Sequence, residues 1–78
     1  MNYNYEFPDS TMLDSCSYNT TDNELEVKFK NGKSYTYIDV DKRTYDELIN
    51  ARSAGRYFNL IKNDLKVKTA WAAYTPMV

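Results

Sequence analysis

Residues 24–30, Glu-Leu-Glu-Val-Lys-Phe-Lys, alternate without a break between charged and apolar side chains, and Asn31-Gly32 follows at once. A period of two marks a strand with one buried face. Asn-Gly after such a run is a strong hairpin signal. Lys33 to Val40 then returns with the β-prone residues Tyr35, Thr36, Tyr37 and Ile38. The turn allows two registers. A two-residue loop pairs Lys30 with Lys33 and puts Tyr35 and Tyr37 on the face of Lys28 and Glu26. A three-residue loop with Gly32 in the left-handed region pairs Phe29 with Lys33 and sets both tyrosines beside Leu25, Val27 and Phe29. A one-residue slip flips every side chain. The second register is favoured, because it gathers the apolar and aromatic residues on one face and leaves Ser34 and Thr36 with the charges.

The rest of the chain arranges itself around this hairpin. In residues 1–9, Tyr3, Tyr5 and Phe7 alternate with Asn2, Asn4 and Glu6, so the segment is extended until Pro8 ends it. Residues 10–18 read as a first strand, and Asn19 to Asn23 as a turn held by its own side chains. After Asp41, Tyr45, Leu48, Ile49 and Arg52 recur at helical spacing. Thr44 to Glu47 fits a capping box, which allows that helix to begin a turn late. Ser53 offers an N-cap to a second helix with a stripe of Tyr57, Phe58, Ile61 and Leu65. Leu65, Val67, Thr69, Trp71 and Ala73 alternate again and predict a C-terminal strand. The expectation is a single α+β domain over residues 1–78. A three-stranded antiparallel sheet is followed by two short helices, with N- and C-terminal strands available to extend it.

Composition narrows the function. A chain of 78 residues holds one small core, and a domain of this size buries only about 60% of the surface its unfolded chain exposes. A deep, dry active site is hard to build there; a surface groove is easier. Ten Lys+Arg against eleven Asp+Glu give a formal net charge of −1. That argues against nonspecific binding of long duplex DNA, which needs cations along a phosphate track. The charges are nevertheless grouped. Residues 52–68 carry Arg52, Arg56, Lys62, Lys66 and Lys68 against Asp64 alone. There is no histidine, and Cys16 is the one cysteine. The usual general base and metal ligand are therefore missing, no cofactor or metal is expected, and Cys16 reads as a small strand residue in a reducing, cytoplasmic setting. No apolar run is long enough for a membrane span. The first residues lack the basic start and apolar stretch of a secretion signal.

The stretch from Ser10 to about Leu65 resembles the KTSC domain, a short family named for the C-terminus of some lysyl-tRNA synthetases and also found alone in bacteria and phages. Ser10-Thr11-Met12-Leu13 resembles its opening Ser-Ser-apolar element, and Ser17-Tyr18-Asn19 stands where Gly-Tyr-Asp is usual. Leu25 to Gly32 matches its central hairpin, and Tyr35-Thr36-Tyr37 its Tyr-x-Tyr. Ala51-Arg52-Ser53-Ala54-Gly55-Arg56-Tyr57-Phe58-Asn59 matches Ala-x-Ser-x-Gly-x-Tyr-Phe-Asn. Val40-Asp41 departs from the usual Val-Pro, a Lys at position 62 replaces a usual Arg, and residues 66–78 lie outside the pattern. The resemblance implies β-β-β-α-α order and, at most, an RNA-binding role.

Two groups of residues can carry binding. At Ser53-Ala54-Gly55-Arg56 a helix N-terminus presents free N–H groups and partial positive charge. Gly55 permits close approach, and Arg56 can grip a phosphate with two donors. Tyr57 and Asn59 follow on the same helix, and Lys62 comes a turn later, completing a candidate anion site. The competing reading is a capped helix whose Arg56 and Lys62 are simply solvated. Tyr35 and Tyr37 can stack nucleobases, or serve as large core residues with hydroxyls at the rim. The function expected is non-catalytic binding of a phosphate-bearing ligand, single-stranded RNA or a small nucleotide, as in a phage protein that sequesters a nucleotide signal. The alternative is a protein–protein or homo-oligomer module using the aromatic residues of the flanks, Tyr3, Tyr5, Phe7, Trp71 and Tyr74.

Overall fold

The computed structural model describes residues 1–68. Five strands form one antiparallel meander in the order β1 (Asn2–Glu6), β2 (Leu13–Asn19), β3 (Glu24–Phe29), β4 (Ser34–Ile38), β5 (Lys66–Val67). Two helices, α1 (Lys42–Asn50) and α2 (Ala54–Ile61), lie between β4 and β5, and a 3-10 turn over Lys62–Asp64 leads from α2 into β5. The expected three-stranded sheet is therefore the centre of a five-stranded one, with a strand added at each edge.

The central hairpin takes the three-residue loop. Val27 pairs with Tyr35 and Leu25 with Tyr37. Gly32 has φ +91° and donates its N–H to Phe29 O at 3.0 Å, while Phe29 N–H reaches Lys33 O at 2.8 Å. A left-handed glycine at that position is what a three-residue hairpin loop requires.

The strand expected from Ser10 begins only at Leu13. Ser10 is not paired into the sheet: its Oγ accepts the N–H groups of Met12 at 3.1 Å and Leu13 at 2.9 Å, holding a turn where the strand would otherwise start. A bulge follows, since Leu13 faces Phe29 but Ser15 faces Lys28. One extra residue changes the phase of the alternation. Leu13, Cys16 and Tyr18 consequently all reach the buried face despite their uneven spacing.

That face meets the helices. Leu13, Cys16, Tyr18, Leu25, Val27 and Tyr37 of the sheet close on Tyr45 and Leu48 of α1 and Phe58 of α2, with Phe7 and Val40 at the margins. The packing is largely aromatic. Tyr18 stacks on Tyr45 with centroids 5.6 Å apart, and Phe58 meets Phe29 and Tyr37 edge-on at 5.5 and 5.8 Å. The opposite sheet face carries Asn4, Ser15, Ser17, Glu26, Lys28 and Ser34 and has no helix over it among the described residues.

Two expectations are corrected here. The Thr44–Glu47 capping box is not used: α1 begins at Lys42, with Asp41 at the N-cap and no side-chain cap bond. Val40, buried against the sheet, sets where the chain turns into the helix, so a first turn upstream of Thr44 is already in place. The predicted C-terminal strand begins at Lys66 rather than Leu65. Leu65 closes the 3-10 turn, Lys66 and Val67 pair with Ile38 and Tyr37, and Lys68 N–H reaches Thr36 O at 2.7 Å. Thr69, Trp71, Ala73 and Tyr74 lie outside the described residues.

Candidate functional site

A concavity of about 520 Å³ opens between the β1–β2 connection and the turn that joins the helices. One wall is Phe7 to Met12, and the other runs from Ile49 through Ala51–Arg56 to Asn59. Its volume falls in the range of small-molecule sites, about 300–1,000 Å³.

The second wall exists because α1 stops at Asn50 and α2 starts four residues later. Ala51 to Ser53 turn the chain, with Ala51 and Ser53 extended, and Ser53 Oγ accepts Arg56 N–H at 3.3 Å. That cap serves the third N–H of the helix. The N–H groups of Ala54 and Gly55 have no acceptor within the helix, as its geometry dictates. They give that end of the helix its partial positive charge.

The first wall is brought up by close contact. A Cβ on Gly55 would lie 3.6 Å from Met12 Cβ and 3.7 Å from Ser10 Oγ. The Ser10 turn therefore seats directly on the start of α2. Ser10 Oγ already accepts two backbone N–H groups, so its remaining capacity is as a donor.

Two arginines, Arg52 and Arg56, line the cleft with exposed side chains. The ion pairs among the described residues are Lys42–Asp46, Lys66–Asp39 and Lys68–Glu24, and neither arginine belongs to one. The basic stretch 52–68 is thus divided: its arginines stand at the cleft, while Lys66 and Lys68 bind carboxylates along the sheet edge. Asp9 is the carboxylate on the facing wall, and Tyr5, Phe7, Pro8, Met12 and Ile49 give the cleft an apolar side.

Of the residues expected from sequence, Ser53, Gly55, Arg56 and Asn59 meet in this cleft. Lys62 is exposed in the 3-10 turn and does not line it. Tyr57 points elsewhere: its hydroxyl donates to Glu47 Oε1 at 2.6 Å and ties α2 to α1. Burial, and then the hydrogen bond to that carboxylate, push the Tyr57 phenol up to about 12. Tyr35 and Tyr37 are on the core face but at different depths. Tyr37 is 5% exposed, whereas Tyr35 is 44% exposed beyond the end of the helix layer. A buried Tyr37 cannot offer a ring face to a base, and neither tyrosine lines the cleft. Sequence reasoning did not include Ser10, Thr11 and Arg52. Arg52 had a signal, as the cation just before the N-cap serine; Ser10 had only its place in the family motif.

Among the described residues no group of three or more His, Cys, Asp or Glu is placed to hold a metal ion. No helix there is long and apolar enough to cross a membrane.

Comparison with known proteins agrees with this anatomy. The KTSC domain family model matches residues 9–64, a span that begins at the first wall of the cleft and ends in the 3-10 turn. A crystal structure of a KTSC domain protein from Yersinia pestis superposes with a TM-score of 0.78 at 25% identity, covering 87% of this chain and 96% of that one. An uncharacterised protein of Tsukamurella paurometabola is 29% identical over 51 residues, 65% of this chain and 76% of the relative.

Proposed function

This chain belongs to the KTSC domain family, and we propose that its cleft binds the phosphate of a nucleotide, either free or within single-stranded RNA, without chemical conversion. The observation that carries the reading is the pair of arginines, Arg52 and Arg56, outside every ion pair of the described residues and set beside the first N–H groups of α2. Arginine offers a planar fork of donors suited to phosphate oxygens, and a helix start adds backbone donors and favourable dipole. The Tyr5, Phe7 and Met12 side supplies an apolar surface for a base or sugar next to that anion subsite. The side chains at hand support binding without conversion. The chain has no histidine, and Cys16 is buried in the core with a thiol pushed up to about 12.

The test is amide-resolved NMR titration with a nucleoside monophosphate and, separately, with a short single-stranded RNA. Shifts should centre on Ser10 and Ala54–Arg56. Arg56→Ala should weaken binding by about 1–3 kcal/mol and leave the melting temperature nearly unchanged. A shallow salt dependence with the monophosphate preferred identifies a free nucleotide; a steep one with RNA preferred identifies a strand. Shifts confined to the surroundings of Tyr35, or none with either ligand, would overturn the proposal.

A further inference from the structure

The two edges of the sheet are unlike. The β4 edge is partly covered by β5, and Lys66 and Lys68 there lie 3.9 Å from Asp39 and 3.0 Å from Glu24. Short edge strands and lysines are the usual means by which a sheet avoids pairing with another chain. Among the described residues β1, at the opposite edge, has no such protection. Asn2–Glu6 contains no lysine and no proline, and its pairing with β2 runs without a bulge.

The direction of its backbone groups follows from two hydrogen bonds. Thr20 N–H donates to Met1 O at 3.0 Å, and Phe7 N–H to Asp14 O at 3.0 Å. In an antiparallel pair the groups alternate in direction. With this register those of Tyr3 and Tyr5 face β2, and those of Asn2, Asn4 and Glu6 point away from the sheet. Tyr5 and Met1 on this edge are 40% and 76% exposed.

We propose that the β1 edge docks a second copy of this chain, strand to strand and antiparallel, about a two-fold axis at Asn4. The segment is self-complementary in that register. Asn4 opposes Asn4 of the other copy, and Asn2 opposes Glu6, so all three outward-pointing residues enter hydrogen-bonded pairs. Tyr3 and Tyr5 then oppose one another in the closer, non-hydrogen-bonded pairs, where cross-strand aromatics stabilise a sheet. The Glu6 carboxylate falls beside the Asn2 side-chain amide, a donor, and never beside another carboxylate. Moving the axis one residue later pairs Asn2 with Pro8, which has no N–H; moving it two residues later sets Glu6 against Glu6. Both tyrosines also stand on a ready aromatic belt on the helix side. Tyr3 lies 6.1 Å from Tyr45, with Lys42 Nζ 4.9 Å above its ring, and Tyr5 lies 5.1 Å from Phe7. Because Tyr5 lines the cleft, docking sets the other copy's Tyr3 at its mouth; the pairing itself is independent of what the cleft binds.

Asn4→Cys tests the register directly, since opposed Cα atoms of a hydrogen-bonded pair are about 5.5 Å apart, within disulfide range. Mild oxidation should convert Asn4→Cys to a covalent dimer. Asn2→Cys and Glu6→Cys should fail alone and cross-link when mixed. The unsubstituted chain, whose Cys16 is 4% exposed, should not cross-link. Sedimentation equilibrium should show the 9.2 kDa mass of the unsubstituted chain double with rising concentration. Asn4→Pro, which removes an outward N–H and no hydrogen bond to β2, should stay at the single-chain mass with its fold retained. A single-chain mass up to millimolar concentration, Asn4→Cys cross-linking no faster than Asn2→Cys, or a dimer that survives Asn4→Pro would each overturn the proposal.

Discussion

Gly55 stands on Ser10: the place a Cβ would take at the start of α2 is 3.7 Å from the Ser10 hydroxyl oxygen, across 45 residues of chain. The contact joins the opening element of the family motif to its Ala-x-Ser-x-Gly block, and the cleft lies along that seam. Gly55 is not needed for a left-handed backbone; among the glycines only Gly32 has positive φ. Its role is to let two walls approach.

That role separates two substitutions. Gly55→Ala places one methyl at ordinary contact distance from Met12 and Ser10, and the gain in helix propensity of about 0.5–1 kcal/mol relative to glycine offsets what little adjustment is needed. Gly55→Val drives γ-carbons into both neighbours and should cost about 1–3 kcal/mol. Thermal melts of the two variants check this: unchanged or raised stability for alanine, and a clear loss for valine.

The Tyr18 hydroxyl donates to the Val40 carbonyl in the core and lies 3.2 Å from Asn23 Oδ1. It fixes the loop that leads from β4 into α1 and is 1% exposed as a residue. Tyr18→Phe keeps the ring stack on Tyr45 but leaves a buried carbonyl without its donor. The expected cost is about 1–3 kcal/mol, read as a lower urea midpoint with an unchanged slope.

Burial raises the Cys16 thiol from 9.0 to about 12. The folded chain therefore holds that proton more tightly than the unfolded one. The corresponding stability is complete below pH 9 and is lost as pH rises toward 12. At pH 8 the native protein should react with a disulfide reagent only as fast as it opens, and promptly once unfolded in urea. Rapid stoichiometric labelling of the native state would show that Cys16 is accessible.

Tyr57 should titrate late for a different mixture of reasons. Burial comes first, and the Glu47 hydrogen bond second, in lifting its phenol from 10.0 to about 12. Glu47→Gln removes the carboxylate and should lower the Tyr57 pKa part of the way back, leaving the share due to burial. Phenolate absorbance during an alkaline titration, compared with Tyr57→Phe, isolates this group. The raised pKa also means that its stabilisation holds below pH 10 and declines toward pH 12.

Local pattern was enough for the parts of this protein whose partners are near in sequence. The alternation of Glu24–Lys30 with Asn31-Gly32 determined the hairpin and its register, because only one pairing puts Tyr35 and Tyr37 with Leu25, Val27 and Phe29. Ser53 announced the start of α2 by its side-chain chemistry, and it caps there. Alternation names a face, however, and not a depth. Tyr35 and Tyr37 share a face, yet Phe58 covers one and the helix layer ends before the other. The bulge at Asp14 broke the period that would have set Leu13 and Cys16 on opposite faces. The cleft was least legible, because its walls are residues 7–12 and 49–59. Only packing of the helices onto the sheet carries Arg52 and Arg56 to the Ser10 turn, and that approach depends on how large buried side chains fill the space between distant segments.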